Sequence, residues 1–275
     1  MNISNKKSKL IFSNYVNELK IKNVNISKYI IVYTDNCTVT VSYNGRIYAY
    51  EQNSFIFMAK NTKVSANIKK IDHRTPPYKY LALDEKSILS VKSIIEGGSG
   101  DSTSLININE NSTGVKRIVG VKSDVQLVNT FNKILNTEDR LIQMIKTAYL
   151  CCKAENKVDV INSLYVSSAT IFTDRIRQII ETDLSKRWRL SDVSEIFNVS
   201  EITIRKRLEA EKNSFNQILL SSKMNKSMQL LLRGDYQICQ IAKLTGFSNS
   251  SYFVKIFKEH YGITPKQFFI YFKVN

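Results

Sequence analysis

In the first half of the chain, apolar residues recur at every second position or in short unbroken runs, and both patterns predict β-strands. Ile21–Thr34, Cys37–Tyr43, Arg46–Tyr50, Phe55–Met58, Lys63–Lys70 and Tyr78–Leu83 are rich in β-branched and aromatic residues and are bounded by turn-forming ones. Asn44-Gly45 lies between two alternating runs and predicts a tight hairpin, because a type I′ turn requires positive φ at both central residues. Six short strands in succession predict a small barrel or sandwich. The stretch from Gly97 to Ser102 reads as a solvated loop. It lacks the Gly-Lys-Ser/Thr ending and the following helix of a phosphate loop.

From about Asp124 the period becomes helical. Between Asp139 and Cys152, the residues Leu141, Ile142, Ile145, Ala148, Tyr149 and Cys152 fall on one face at steps of three and four. That face is expected to be buried, either against the barrel or against the same helix of a second copy. In the second case Leu141, Ile145, Ala148 and Cys152 are the dimer contacts. Val166–Phe172 reads as a joint, giving an N-terminal domain over 1–165, a linker over 166–172 and a helical domain over 173–275.

The helical domain repeats itself. Thr173 or Asp174 is expected to cap a helix carrying Ile176, Ile179 and Ile180, and Ser191 to start a short segment with Val193 and Ile196. Ser200 is expected to cap a helix with Ile204 and Leu208 inward. A long helix, Ser214–Arg233, follows and stops at Gly234. Then the pattern returns: Leu190, Val193 and Ile196 match Ile238, Ile241 and Leu244 at an offset of 48, and Ile204 and Leu208 match Phe253 and Phe257 at an offset of 49. Two short helices joined by a turn of about four residues form a helix-turn-helix motif, and here two such motifs flank one long helix. The 20 residues of Ser214–Arg233 span roughly 30 Å, close to the separation of successive major grooves of B-DNA, about 34 Å.

Charge agrees with this geometry. The chain carries +16 over 275 residues, with +9 in residues 1–170 and +7 in 171–275. Such an excess favours a polyanionic partner, nucleic acid or an anionic surface. No apolar run approaches the roughly 18 to 20 residues of a membrane helix, and Met1–Leu10 does not read as a secretion signal, so a cytoplasmic location without membrane attachment is expected. Cys37, Cys151, Cys152 and Cys239 show no metal-ligand spacing and read as reduced thiols; neither a metal nor an organic cofactor is expected. His73 and His260 lie 187 positions apart and no nucleophile elbow occurs, which argues against an enzyme.

The first motif offers Ser200, Ile202, Thr203, Arg205 and Lys206 to double-stranded DNA, and the second offers Asn249, Ser250, Ser251, Val254 and Lys255. Basic groups suit phosphates, while short polar and apolar groups suit base edges. Arg205 is the candidate guanine contact, because a guanidinium pairs with O6 and N7 together. Ile202 and Val254 are candidates for thymine methyls.

Gly246-Phe247, Ser251-Tyr252-Phe253, Phe257-Lys258 and Gly262-Ile263-Thr264-Pro265-Lys266-Gln267-Phe268 resemble the C-terminal signature of the AraC/XylS transcription regulators. Ser200–Leu208 and the ending Thr264–Phe269 are similar to the enteric virulence regulators within that family. The resemblance implies an α+β chain: a cupin-like β-barrel with helices, followed by a seven-helix DNA-binding domain with two helix-turn-helix motifs. It implies a homodimeric activator of colonisation genes that acts at A·T-rich promoters with RNA polymerase as partner. It also implies that the barrel senses a small anion, a fatty acid carboxylate or bicarbonate, with Lys28, Lys79 and Arg233 as the available bases. Ser27 and Ala82 stand where basic residues are expected in the relatives. The alternative is an N-terminal domain that serves only dimerisation or partner binding, without a ligand.

Overall fold

The structure, a computed structural model, describes residues 17–98 and 115–273. Ser99–Ser102 of the expected loop, and Met1–Leu10, lie outside the described residues. The chain folds into two compact units, one built on Asn25–Ala169 and the other on Thr170–Lys273 together with Leu19–Val24.

The strands are β1 (Glu18–Ile26), β2 (Tyr29–Tyr33), β3 (Cys37–Tyr43), β4 (Arg46–Tyr50), β5 (Ser54–Met58), β6 (Thr62–Lys70), β7 (Lys79–Leu83) and β8 (Ile118–Lys122), and all but Leu19–Val24 of β1 belong to the first unit. They form two four-stranded sheets, ordered β1-β6-β3-β4 and β7-β2-β5-β8, which do not close into a single barrel. The single strand expected over Ile21–Thr34 is two strands. The chain breaks at Ser27-Lys28 and passes there from one sheet to the other. The Asn44-Gly45 hairpin forms as expected, with φ of 49° and 76°, and joins β3 to β4.

Helices α1 (Glu85–Gly98), α2 (Val125–Leu135), α3 (Arg140–Lys153) and α4 (Lys157–Ser168) complete this unit. Its main core joins Tyr29, Ile31, Tyr33, Phe55 and Phe57 of the second sheet to Ile88, Phe131, Ala148, Cys151 and Leu164 of the helices. Val32 and Ile56 point to the opposite face of the same sheet and are buried too. Both faces of β2 and β5 are therefore covered, which explains why they read as continuous apolar runs and not as alternating ones. The Tyr29 hydroxyl is satisfied inside this core by Ser163 Oγ at 2.9 Å. Val166–Ser168, expected as part of a linker, form the last turn of α4, and Ala169, Thr170 and Ile171 connect it to the next helix.

The second unit is helical: α5 (Phe172–Thr182), α6 (Leu190–Phe197), α7 (Glu201–Ala210), α8 (Phe215–Arg233), α9 (Ile238–Leu244), α10 (Ser250–Tyr261) and α11 (Pro265–Phe272). Ser200 caps α7 as expected, and Ser214 caps α8, their hydroxyls accepting from the backbone N–H of Thr203 and Gln217. One expected cap is corrected, and one expected helix start shifts by a residue. Thr173 and Asp174 lie inside the first turn of α5, and Asp174 reaches back to accept from the Ile171 N–H at 3.2 Å. Asp192 does the same for the Arg189 N–H at 2.7 Å, so α6 begins before Ser191. One core gathers Ile176, Ile180, Trp188, Val193, Ile204, Leu208 and Ile218 around α6 and α7. Around α10, the rings of Phe253, Phe257, Tyr261 and Phe268 meet edge to face in a second buried cluster.

Candidate nucleic-acid interface

The repeat is written in backbone hydrogen bonds. In the first motif the Asn198 N–H donates to the Glu195 carbonyl and the Val199 N–H to that of Ser194; in the second, Gly246 donates to Lys243 and Phe247 to Ala242. Each partner is displaced by 48. Both turns pass through a left-handed residue, Asn198 at φ 51° and Gly246 at φ 68°. Asparagine tolerates that region through its short polar side chain, and glycine enters it freely. At the next helix start the offset becomes 49: Ser200 accepts from Thr203 N–H, and Asn249 from Tyr252 N–H at 2.8 Å. Ser248 is thus one extra residue in the second turn.

From these caps onward the two reading helices correspond at an offset of 49. Ile204 and Leu208 are buried, as are Phe253 and Phe257. Ile196 and Leu244, read from the sequence as members of the apolar stripe, are both exposed; they fall at the ends of α6 and α9, past the face that packs. The long helix between the motifs has 19 residues, about 28 Å.

On α7, Ile202 is 65% exposed, and Lys206 projects from the exposed surface. The Arg205 guanidinium is also exposed, with Nη2 3.5 Å from Glu201 Oε2. Ser200 and Thr203 are tied together, their hydroxyl oxygens 2.9 Å apart, so both serve the cap. On α10, Asn249 is engaged in the same way, while Ser251 and Lys255 are exposed and Ser250 and Val254 are half-buried. Lys255 Nζ lies 4.0 Å from Glu259 Oε1. A groove of about 440 Å³ runs along the start of this helix, lined by Ser250, Ser251 and Val254 together with Gln237, Ile238 and Cys239 of the α9 start. The sequence reading missed the last three. Their signal was the cap position of Gln237, whose backbone N–H is met by Gln240 Oε1 at 2.8 Å.

Of the bases named for an anion, Lys28 and Lys79 belong to the first unit. β2 pairs with β7 so that Tyr29 faces Leu83 and Tyr33 faces Lys79. Lys28 and Lys79 therefore sit at opposite ends of one ladder, roughly 16 Å apart along the strand. Lys79 is paired with Asp35 at 2.9 Å, and Arg233 closes α8 in the second unit.

For the apolar face of α3, the expectation of burial against the barrel is corrected. Ala148 is buried in the core with Met144 and Cys151, whereas Leu141, Ile145, Tyr149 and Cys152 are exposed. The helix has two apolar sides, and the one read from the sequence as buried is mostly the outer one. Among the described residues, no helix is long and apolar enough to cross a membrane.

The model of a helix-turn-helix domain matches residues 193–269. Over 259 residues the chain is 40% identical to the transcriptional activator AggR of Escherichia coli, covering 93% of this chain and 95% of that protein. It is 34% identical over 258 residues to the virulence regulon transcriptional activator VirF of Shigella flexneri, covering 94% and 97%. It shares the fold of wild-type ToxT from Vibrio cholerae, solved with an unsaturated fatty acid bound, with a TM-score of 0.65 at 18% identity over 94% and 95% of the two chains. Two exposed reading helices in a basic, duplicated motif define a DNA-binding transcription regulator. The chain belongs to the AraC/XylS family of transcription regulators, within its group of enteric virulence regulators.

Proposed function

We propose that this chain activates virulence or colonisation genes by placing α7 and α10 in successive major grooves of one A·T-rich promoter duplex. The carrying observation is the duplicated turn and cap, which present Ile202 with Lys206 and Ser251 with Lys255 at corresponding places on two helices joined by a spacer of about 28 Å. Arg205 and Ile202 are assigned to base edges, Lys206 and Lys255 to phosphates, and Ser250, Ser251 and Val254 to a base step facing the α9–α10 groove. Ser200, Thr203 and Asn249 contribute as caps that aim the helix starts.

Genome-wide footprinting of the chain tests this reading and supplies the operator. Binding to a footprinted fragment weakens steeply with salt as counterions are released. Arg205→Ala costs about 1–3 kcal/mol at one base position, while Lys255→Ala weakens all sequences alike. An unchanged footprint and affinity in Arg205→Ala removes Arg205 from the interface.

A homodimer through the outer face of α3, using Leu141, Ile145 and Cys152 but not Ala148, and contact with RNA polymerase complete the reading. Its support is the exposed apolar stripe and the activators among the relatives. Regulation by a small carboxylate, with Lys28, Lys79 and Arg233 as the available bases, is supported by the fold shared with ToxT. A shift in melting temperature or DNA affinity with a medium-chain fatty acid or bicarbonate tests it; no shift with either favours a first unit devoted to dimerisation.

A further inference from the structure

We infer that Glu201 is the positioning residue that makes the first motif sequence-selective: its carboxylate holds the Arg205 guanidinium for a guanine edge and opposes binding to arbitrary duplex. This rests on the reading of Arg205 as a base contact.

Glu201 is the first residue of α7, directly after the Ser200 cap, at the end of the helix that enters the groove. A carboxylate there faces a polyanion, so without a partner it opposes association with any sequence. Its partner is Arg205: Glu201 Oε2 lies 3.5 Å from Arg205 Nη2, one turn on. A guanidinium has five donors in a planar fork. Occupying one edge restricts the rotamers of a long exposed side chain and leaves donors on the other edge for O6 and N7.

The scaffold does not require the pair. At the offset of 49 that relates the two helices, Glu201 and Arg205 correspond to Ser250 and Val254, which carry no charge and line the α9–α10 groove. The second helix folds on an equivalent cap without the pair. Its own ion pair, Lys255 with Glu259, puts the acid at the tenth of twelve helix residues, far from the helix start. The two motifs thus select sequence by different means: a held guanidinium in the first, a hydroxyl and methyl surface in the second.

The test uses the full chain, a footprinted promoter fragment and a scrambled duplex of equal length. Glu201→Gln should tighten binding to the scrambled duplex and lower the specific-to-scrambled ratio roughly three- to tenfold. Glu201→Asp keeps the charge and the favourable helix-dipole position but shortens the reach. It should keep scrambled binding low while still lowering the ratio. In an Arg205→Ala background neither change should move the ratio. Circular dichroism melting of each variant reports folding separately. The inference is overturned if Arg205→Ala lowers the ratio and Glu201→Gln does not, or if Glu201→Gln acts equally with and without Arg205. If Arg205→Ala leaves the ratio intact, the base-contact reading itself has failed, and this one with it.

Discussion

Lys223 Nζ donates to the Gly246 carbonyl oxygen at 3.0 Å and lies 5.4 Å from the centre of the Phe247 ring, so the middle of α8 is fastened to the turn of the second motif. Burial lowers the pKa of this amine, and the bond to the carbonyl compensates for its partial desolvation. Lys223→Met keeps the stem and removes the donor. It should cost about 1–2 kcal/mol by chemical denaturation, and hydrogen exchange at Phe247 should accelerate while that at Val199 stays unchanged.

The two turns differ in how they tolerate side chains. At Gly246 a methyl group would meet the Leu184 carbonyl oxygen and Lys223 Nζ, in a backbone conformation at φ 68°. Gly246→Ala should destabilise by about 2–4 kcal/mol, a strain term plus a displaced neighbour. Asn198 already carries a side chain at φ 51°, so Asn198→Gly should change stability by under about 1 kcal/mol. Paired thermal melts read both values, and equal losses would contradict the assignment.

Glu211, just past the end of α7, accepts from the backbone N–H groups of Phe172 and Thr173 at 2.7 and 2.8 Å. It therefore acts as the distant cap of α5, satisfying donors that no earlier residue of that helix can reach. Glu211→Ala should cost about 1–2 kcal/mol and fray the first turn of α5, which exchange of the Phe172 and Thr173 amides would show. Full protection of those amides in the variant would refute the cap.

The four thiols are free and should divide two and two. Cys37 and Cys151 are buried, Cys152 and Cys239 exposed. In native protein a thiol reagent should label Cys152 and Cys239 quickly and the others only on unfolding. A bulky maleimide on Cys239 should weaken promoter binding, since it occupies the groove shared with Ser250 and Ser251. Burial raises the Cys37 and Cys151 pKa values from about 9 to about 12. Raised values mean that the folded state retains protons which the unfolded chain releases. Their contribution is intact below pH 9 and is lost as pH rises towards 12, at up to about 1.4 kcal/mol per pH unit for each thiol. Denaturation midpoints at pH 8 and 10.5 check the direction.

What the sequence made legible depended on how many sides of an element are covered. The Asn44-Gly45 hairpin and the Ser200 cap were readable because local chemistry decides them. The duplication was readable because its buried positions recur. The helix α4 escaped because it carries Val160, Ile161, Leu164 and Tyr165 beside buried Ser163 and Ser167, so no polar face marks its period. α3 misled for the opposite reason, being apolar on two sides with nothing local to say which is inward. The split between β1 and β2 at Ser27-Lys28 is a matter of sheet exchange, which a run of strand-forming residues does not reveal. At the interface, the helix surfaces were legible, but the contribution of Gln237, Ile238 and Cys239 depends on where α9 meets α10.

The single extra residue at Ser248 sets the terms on which the two motifs could be exchanged. Each residue advances an α-helix by about 100°. A chimera that grafts α10 in place of α7 by matching Asn198 to Gly246 starts its helix one position out of phase, turning Ser251 and Lys255 away from the surface that Ile202 and Lys206 occupy. Matching Ser200 to Asn249 keeps the helix in phase but leaves the loop a residue short or long. Swapping specificities between the halves of this chain is therefore a problem of phase before it is one of side chains.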